Sequence, residues 1–363
     1  MNRLLVYIGI GTLILLSSCA QKTKKVAKAA EKGDIVLILD NIPENYKFYY
    51  DKKGDSYATI GGSHEIEYHV KDMIPSYFYP DYTRDKDTIV IKSVTGYIEI
   101  QHRYRGIETF SYLAQPKDTL FISYKDKMPI VRNSRKCKKY DYDYEVLLRK
   151  KVYGEEYSGY ANFMMSFFIS EDIGKYLSYK NEYRYEAMKS DSKLFHTVNY
   201  NKAMFQFDKE EKVLDSLIVN DYISKDVSDF YRQRIKYNKL NLEIQTNRPF
   251  TFKDFKQTDS LIKYSFYRNV INIVFEYTIL KKLDFKKKRN YLGYNSEEVY
   301  DAIQKAPYLS HGTRKYLLHE WFKIIAENTW PDTVREYYKS FKTAYGKDTC
   351  LINNLVKEYK IIN

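Results

Sequence analysis

Asn133-Ser134-Arg135-Lys136-Cys137-Lys138-Lys139-Tyr140 separates two stretches of different hydrophobic period. Upstream, the period is about two. Glu65-Ile66-Glu67-Tyr68-His69-Val70 alternates, with Ile66, Tyr68 and Val70 on one side and Glu65, Glu67 and His69 on the other. Successive strand side chains point to opposite faces, so this is a strand pattern. Further apolar runs at residues 35–39, 46–50, 88–91, 97–102, 107–113 and 119–124 are separated by turns at Gly54, Gly96, Gly106 and Pro116-Lys117-Asp118. Short strands so closely spaced predict an antiparallel β-sandwich-like domain over residues 34–133.

Downstream, the period becomes about 3.6. Ser224 precedes Asp226 and Asp229, a helix start with acid in the first turn. Residues 261–280 carry Phe266, Val270, Ile273, Val274 and Tyr277 at helical spacing, and Ser296-Glu297-Glu298 opens another helix. Pro331 suits a first helical position. Tyr316, Leu317, Leu318, Phe322 and Ile325 fill one helix, and residues 351–362 form a last one. The fold class expected is therefore α+β, with a larger all-helical domain over residues 140–363. No fixed period recurs, so a helical solenoid is not predicted. Residues 134–139 are polar and basic. They read as the connection between domains and as a site for early tryptic cutting.

The N-terminus carries an address. Arg3 precedes an apolar run over residues 4–16, and Leu16-Ser17-Ser18-Cys19 follows. That run is too short to span a bilayer as a helix. Residues 1–18 read as a signal peptide, and residues 19–33 as a Lys/Ala-rich tether. Leu16-Ser17-Ser18-Cys19 resembles the lipobox of bacterial lipoproteins, which implies cleavage before Cys19 and lipid on its thiol. Several acyl chains on one residue anchor a protein stably. Ala20 and Gln21 follow the cysteine, with no Asp there. Outer-membrane sorting within the cell envelope is the expectation by analogy, with the face of that membrane open.

Hydrophobic residues at 44% can support real cores, and the net charge is +13. For an exported chain that charge is not explained by nucleic acid, which is not an expected partner. It reads mainly as compositional bias, with Lys, Tyr, Ile and Asn all abundant.

Motifs for chemistry are sparse. His319-Glu320 begins like a zincin helix, but Lys323 stands where the second histidine belongs. Beyond Cys19 the cysteines are Cys137 and Cys350, too far apart in sequence for a Cys-x-x-Cys site. No serine lies in a nucleophile elbow. No catalytic residue, metal or cofactor is expected. One segment reads as a contact surface. Pro75-Ser76-Tyr77-Phe78-Tyr79-Pro80-Asp81-Tyr82 is an aromatic run between prolines, expected in a loop. Tyr77, Phe78, Tyr79 and Tyr82 offer large area at low entropy cost, for a protein partner or a sugar face. The alternative is that these rings plug an open end of the sandwich or pack on the helical domain.

Tyr112-Leu113-Ala114-Gln115-Pro116-Lys117-Asp118-Thr119-Leu120-Phe121-Ile122 resembles the end of the β domain in Bacteroidetes lipoproteins of the TlpA-like thioredoxin group. Tyr222-Ile223-Ser224-Lys225-Asp226, Phe230 and Tyr237-Asn238-Lys239-Leu240 resemble their helical middle, as do residues 341–359. The resemblance implies the non-catalytic N-terminal region of such proteins, without the thioredoxin domain. No Cys-x-x-Cys is present to carry over. The function it implies is an accessory or protein-interaction module, possible partners including a separate thioredoxin-like envelope protein. A cell-surface glycan-binding lipoprotein is the alternative.

Overall fold

In a computed structural model, the residues described are 32–42, 47–50, 56–59, 65–69, 75–80, 84, 86–104, 108–125, 128–153, 192–245, 252, 255–283 and 295–361. Cys19 and the segments read above as a signal peptide and tether, up to residue 31, lie outside them.

The alternating segments form strands. β1 (Lys32–Asp40) sends Ile35, Leu37 and Leu39 into the core and turns Val36 and Ile38 the other way. It pairs antiparallel with β6 (Lys86–Thr95) and parallel with β9 (Thr119–Lys125), and β9 pairs antiparallel with β10 (Met128–Asn133). The first sheet thus has the order β10-β9-β1-β6. A second sheet, ordered β5-β4-β7-β8, contains β5 (Pro75–Phe78), β4 (Glu65–His69), β7 (Ile98–Tyr104) and β8 (Glu108–Ala114), all antiparallel. A hairpin of β2 (Lys47–Tyr50) and β3 (Ser56–Thr59) stands apart from both.

One apolar cluster joins the two four-stranded sheets. Ile35, Leu37, Leu39, Ile89, Ile91, Leu120 and Ile122 come from the first, and Ile66, Ile100, Phe110 and Tyr112 from the second. Two expectations are corrected here. The first sheet is mixed, not wholly antiparallel, because the chain travels through the second sheet between β1 and β9 and returns in the same direction. Pro75–Phe78 is a strand at a sheet edge, not a loop. Proline is tolerated at the first position of an edge strand, where no ladder donor is needed.

After residue 140 the described structure is helical. It comprises α1 (Tyr144–Leu148), a π turn (Arg149–Tyr153), α2 (Ser192–Val219), α3 (Lys225–Gln245) and α4 (Ser265–Thr278), then α5 (Ser296–Lys305), α6 (His311–Asn328), α7 (Pro331–Tyr345) and α8 (Thr349–Tyr359). Asn295 caps α5 by accepting from the amides of Glu297 and Glu298, Ser310 caps α6 through Thr313, and Asp348 caps α8 through Leu351. Pro331 is the first residue of α7. The apolar stretch 261–280 is not one helix. A 3-10 turn at Asp259–Leu261 precedes α4, and another at Leu280–Lys282 follows it.

The helices share a core of their own, centred on Tyr231, Tyr267, Val270, Phe322 and Phe341. Each core takes a residue from the other half. Leu113 of β8 belongs to the helical cluster, and Tyr142, just before α1, belongs to the β cluster. Among the described residues no helix is long and apolar enough to cross a membrane.

Candidate functional site

The strand β4 has two buried faces. Ile66 faces the apolar core, while Glu67 and His69 on the opposite side are also buried, at 6% and 5% exposure. Their partner is α4. Arg268 donates from one terminal nitrogen to Glu67 Oε1 at 3.2 Å and from the other to the Ile262 carbonyl at 3.1 Å. His69 Nε2 lies 2.9 Å from the same Glu67 oxygen. Burial, only partly offset by Glu67, lowers the His69 pKa below its usual value. The ring is therefore neutral near pH 7 and donates from Nε2 to the carboxylate. Its Nδ1 is buried without a hydrogen-bond partner among the described residues.

On the neighbouring strand β7, Glu99 reaches the start of α4. Its carboxylate accepts from the Ser265 amide at 2.7 Å and the Ser265 hydroxyl at 2.9 Å. Tyr264, at the N-cap position, offers no side-chain cap. The sheet therefore supplies the negative charge that the helix N-terminus favours. Lys263 donates to the Tyr97 carbonyl, Tyr97 donates to Asp226 at the start of α3, and Tyr231 donates to the Ser111 carbonyl of β8. One face of the second sheet is thus fastened to α3 and α4 by hydrogen bonds. Glu99→Ala is expected to lower unfolding free energy by about 1–3 kcal/mol, because the half-buried Ser265 donors lose their acceptor. Urea titration followed by circular dichroism reads the change, and an unaltered midpoint would show that Glu99 is not a cap.

The aromatic run sits at the outer end of this face. In the β4–β5 register Tyr77 stands opposite Glu67. Tyr77 is 47% exposed and Tyr79, just beyond the strand, is 59% exposed. Phe78 points the other way and packs against the β core. Strand alternation therefore splits the run, leaving Tyr77 and Tyr79 outward and turning Phe78 to the plugging role. Tyr82 lies outside the described residues.

The buried acids of this face hold structural partners, which leaves little for general acid–base work. A cleft of about 290 Å³ between α5, α6 and α7 has Arg314 and His311 in its lining and no carboxylate, so a paired-acid hydrolysis has no place there. Among the described residues no three His, Cys, Asp or Glu side chains converge on a metal position. Cys137 and Cys350 are free thiols.

A second buried ionic cluster lies within the helices. Arg234 of α3 pairs with Glu145 of α1 and, at 3.4 Å, with Glu210 of α2. Its guanidinium lies 4.5 Å from the centre of the Tyr231 ring, which packs on Tyr144 at 4.0 Å. Neither cluster is legible in the sequence. Glu67 and Arg268 are 201 residues apart, and no local spacing signals such a pairing.

Comparison with known proteins gave no match to a family model, a curated protein or a solved structure.

Proposed function

We propose that this chain is a lipid-anchored envelope lipoprotein acting as a non-catalytic accessory module that docks a protein partner. The observation that carries the reading is the pair of outward tyrosines, Tyr77 and Tyr79, on and beside a sheet-edge strand whose neighbours are fastened on the same face by α3 and α4. A rigid edge with alternate aromatic side chains suits strand addition, in which backbone hydrogen bonds supply affinity and side chains supply choice. The two sheets act in this reading as a sandwich-like platform. The resemblance to TlpA-like lipoproteins makes a separate thioredoxin-like envelope protein the partner of first choice. Outward tyrosines also suit stacking on a sugar ring, so capture of a glycan at the cell surface is the second reading.

The test is photo-cross-linking in cells with benzoylphenylalanine in place of Tyr79. A single envelope protein cross-linked there, and lost with Tyr77→Ala, is the expected result. Sugar binding in calorimetry, with no protein adduct, would favour the glycan reading. The anchor is tested separately. Cys19→Ser is expected to abolish lipid labelling and membrane retention while leaving export intact. A mutant that still partitions into detergent would refute the lipobox.

A further inference from the structure

The outer face of the first sheet is apolar where a solvated sheet is normally polar. In the register, Val90 of β6 stands beside Val36 of β1, and Ile38 of β1 stands beside Phe121 of β9. Ile130 of β10 lies on the same side, opposite Ser123. Val90 is 44% exposed and Phe121 is 45% exposed, while Val36, Ile38 and Ile130 are half-buried. None of the five belongs to either core. They form one apolar strip across all four strands.

The strip has a basic border. Lys86 and Lys92 flank it on β6, Lys125 ends β9, and Arg132 stands opposite Phe121 on β10, all four exposed. Acids offset part of this charge, Asp143 beside Arg132 among them. Asp40 lies 3.9 Å from Lys86, and Asp34 accepts from the Ser93 amide at 2.8 Å. The surplus charge is positive, and it rings apolar side chains that water solvates poorly.

We infer that this face rests on an anionic phospholipid surface. The inference goes beyond the proposed function but rests on its lipid anchor for proximity. Charge and chain length favour that occupant. Cys19 precedes Lys32, the first residue of β1, by a stretch that reaches at most roughly 45 Å when extended. Among the described elements, β1 of the first sheet is the one nearest in sequence to Cys19. Apolar side chains entering the headgroup boundary, with Lys and Arg around them, are the general recipe for interfacial binding. The contact holds the sheet flat and leaves the Tyr77–Tyr79 edge of the other sheet for its partner.

The test uses the mature full-length chain with Cys19→Ser, so that no lipid confounds it. Flotation with vesicles containing phosphatidylglycerol should recover at least about tenfold more protein than flotation with pure phosphatidylcholine, and added salt should weaken it. Val90→Thr with Phe121→Thr, both suited to a strand, should reduce recovery about tenfold with the circular dichroism spectrum unchanged. Equal recovery with both vesicles, or no effect of the double variant, would overturn the inference. A dimer in sedimentation that the double variant dissolves would do so too, by assigning the face to a second copy. Lipid labelling of the unsubstituted chain, scored in parallel, tells failure of the anchor from failure of the face.

Discussion

Arg234→Leu is expected to lower unfolding free energy by about 3–5 kcal/mol, the range for breaking a buried ion pair from one side. Arg234, Glu145 and Glu210 are each 3% exposed or less. Removing Arg234 takes away the cation that Glu145 and Glu210 both engage in the helical core. The effect should be far larger than that of losing an exposed pair such as Lys225–Asp229, where solvent screening leaves little net energy. Chemical denaturation at pH 7 reads it. A loss under 1 kcal/mol, on the order of a surface pair, would mean that water reaches the cluster. Adding Glu145→Leu to Arg234→Leu should restore part of the loss, because the desolvated charge goes with it. The same cluster gives a pH signature. Burial raises the Glu145 pKa from its ordinary 4.5 to about 7, against the pull of Arg234. Between those values the folded state keeps a proton that the unfolded chain releases. This contribution to stability is present at and below pH 4.5 and fades as pH rises toward 7. Glu145→Gln should flatten that part of the stability profile relative to the unsubstituted chain.

The elements that sequence reading captured are those whose own residues carry the period. Residues 35–39 alternate, and Ile35, Leu37 and Leu39 duly face a core. Pro331 opens a helix as its fixed φ suits it to do. What escaped depends on partners distant in sequence. Alternation is the same whichever way a neighbouring strand runs, so the parallel β1–β9 pair is invisible in it. Glu67 and His69 alternate with Ile66 and Tyr68 as solvent-facing residues would. Their face is buried against helices far along the chain, with Arg268 of α4 bound to Glu67. The aromatic run was legible as a feature. Its division into outward Tyr77 and Tyr79 and inward Phe78 required knowing that it begins as a strand. Ring density and two prolines point instead to a loop.

The turn Pro116-Lys117-Asp118-Thr119 is the other place where a single side chain has a large effect. Lys117 takes a left-handed φ of 71°, and its amide donates to the Asp34 carbonyl at 2.8 Å. The Asp118 carbonyl accepts from the Val36 amide, which ties the turn to β1. Its carboxylate, 0% exposed, accepts from the Gln115 amide at 2.9 Å, the Tyr142 hydroxyl at 3.1 Å and the Arg135 guanidinium. Arg135 and Tyr142 both lie in the segment leading from β10 to the helices. That segment is also held at its far end, where Asp141 accepts from the amides of Lys138 and Ser224. Asp118 therefore secures the β side of the connection and Asp141 the helical side. Asp118→Ala is expected to reduce stability by about 2–4 kcal/mol, since a buried tyrosine hydroxyl and a backbone amide lose their acceptor together. The ion pair itself adds less, because Arg135 is 37% exposed. Asp118→Asn keeps an acceptor oxygen and should be markedly milder. The change should also be local. With Arg135 released, trypsin should cut at Arg135 and Lys136 several times faster than in the unsubstituted chain, before global unfolding contributes. Equal cutting rates in the two proteins would mean that the segment is held by its helical end alone.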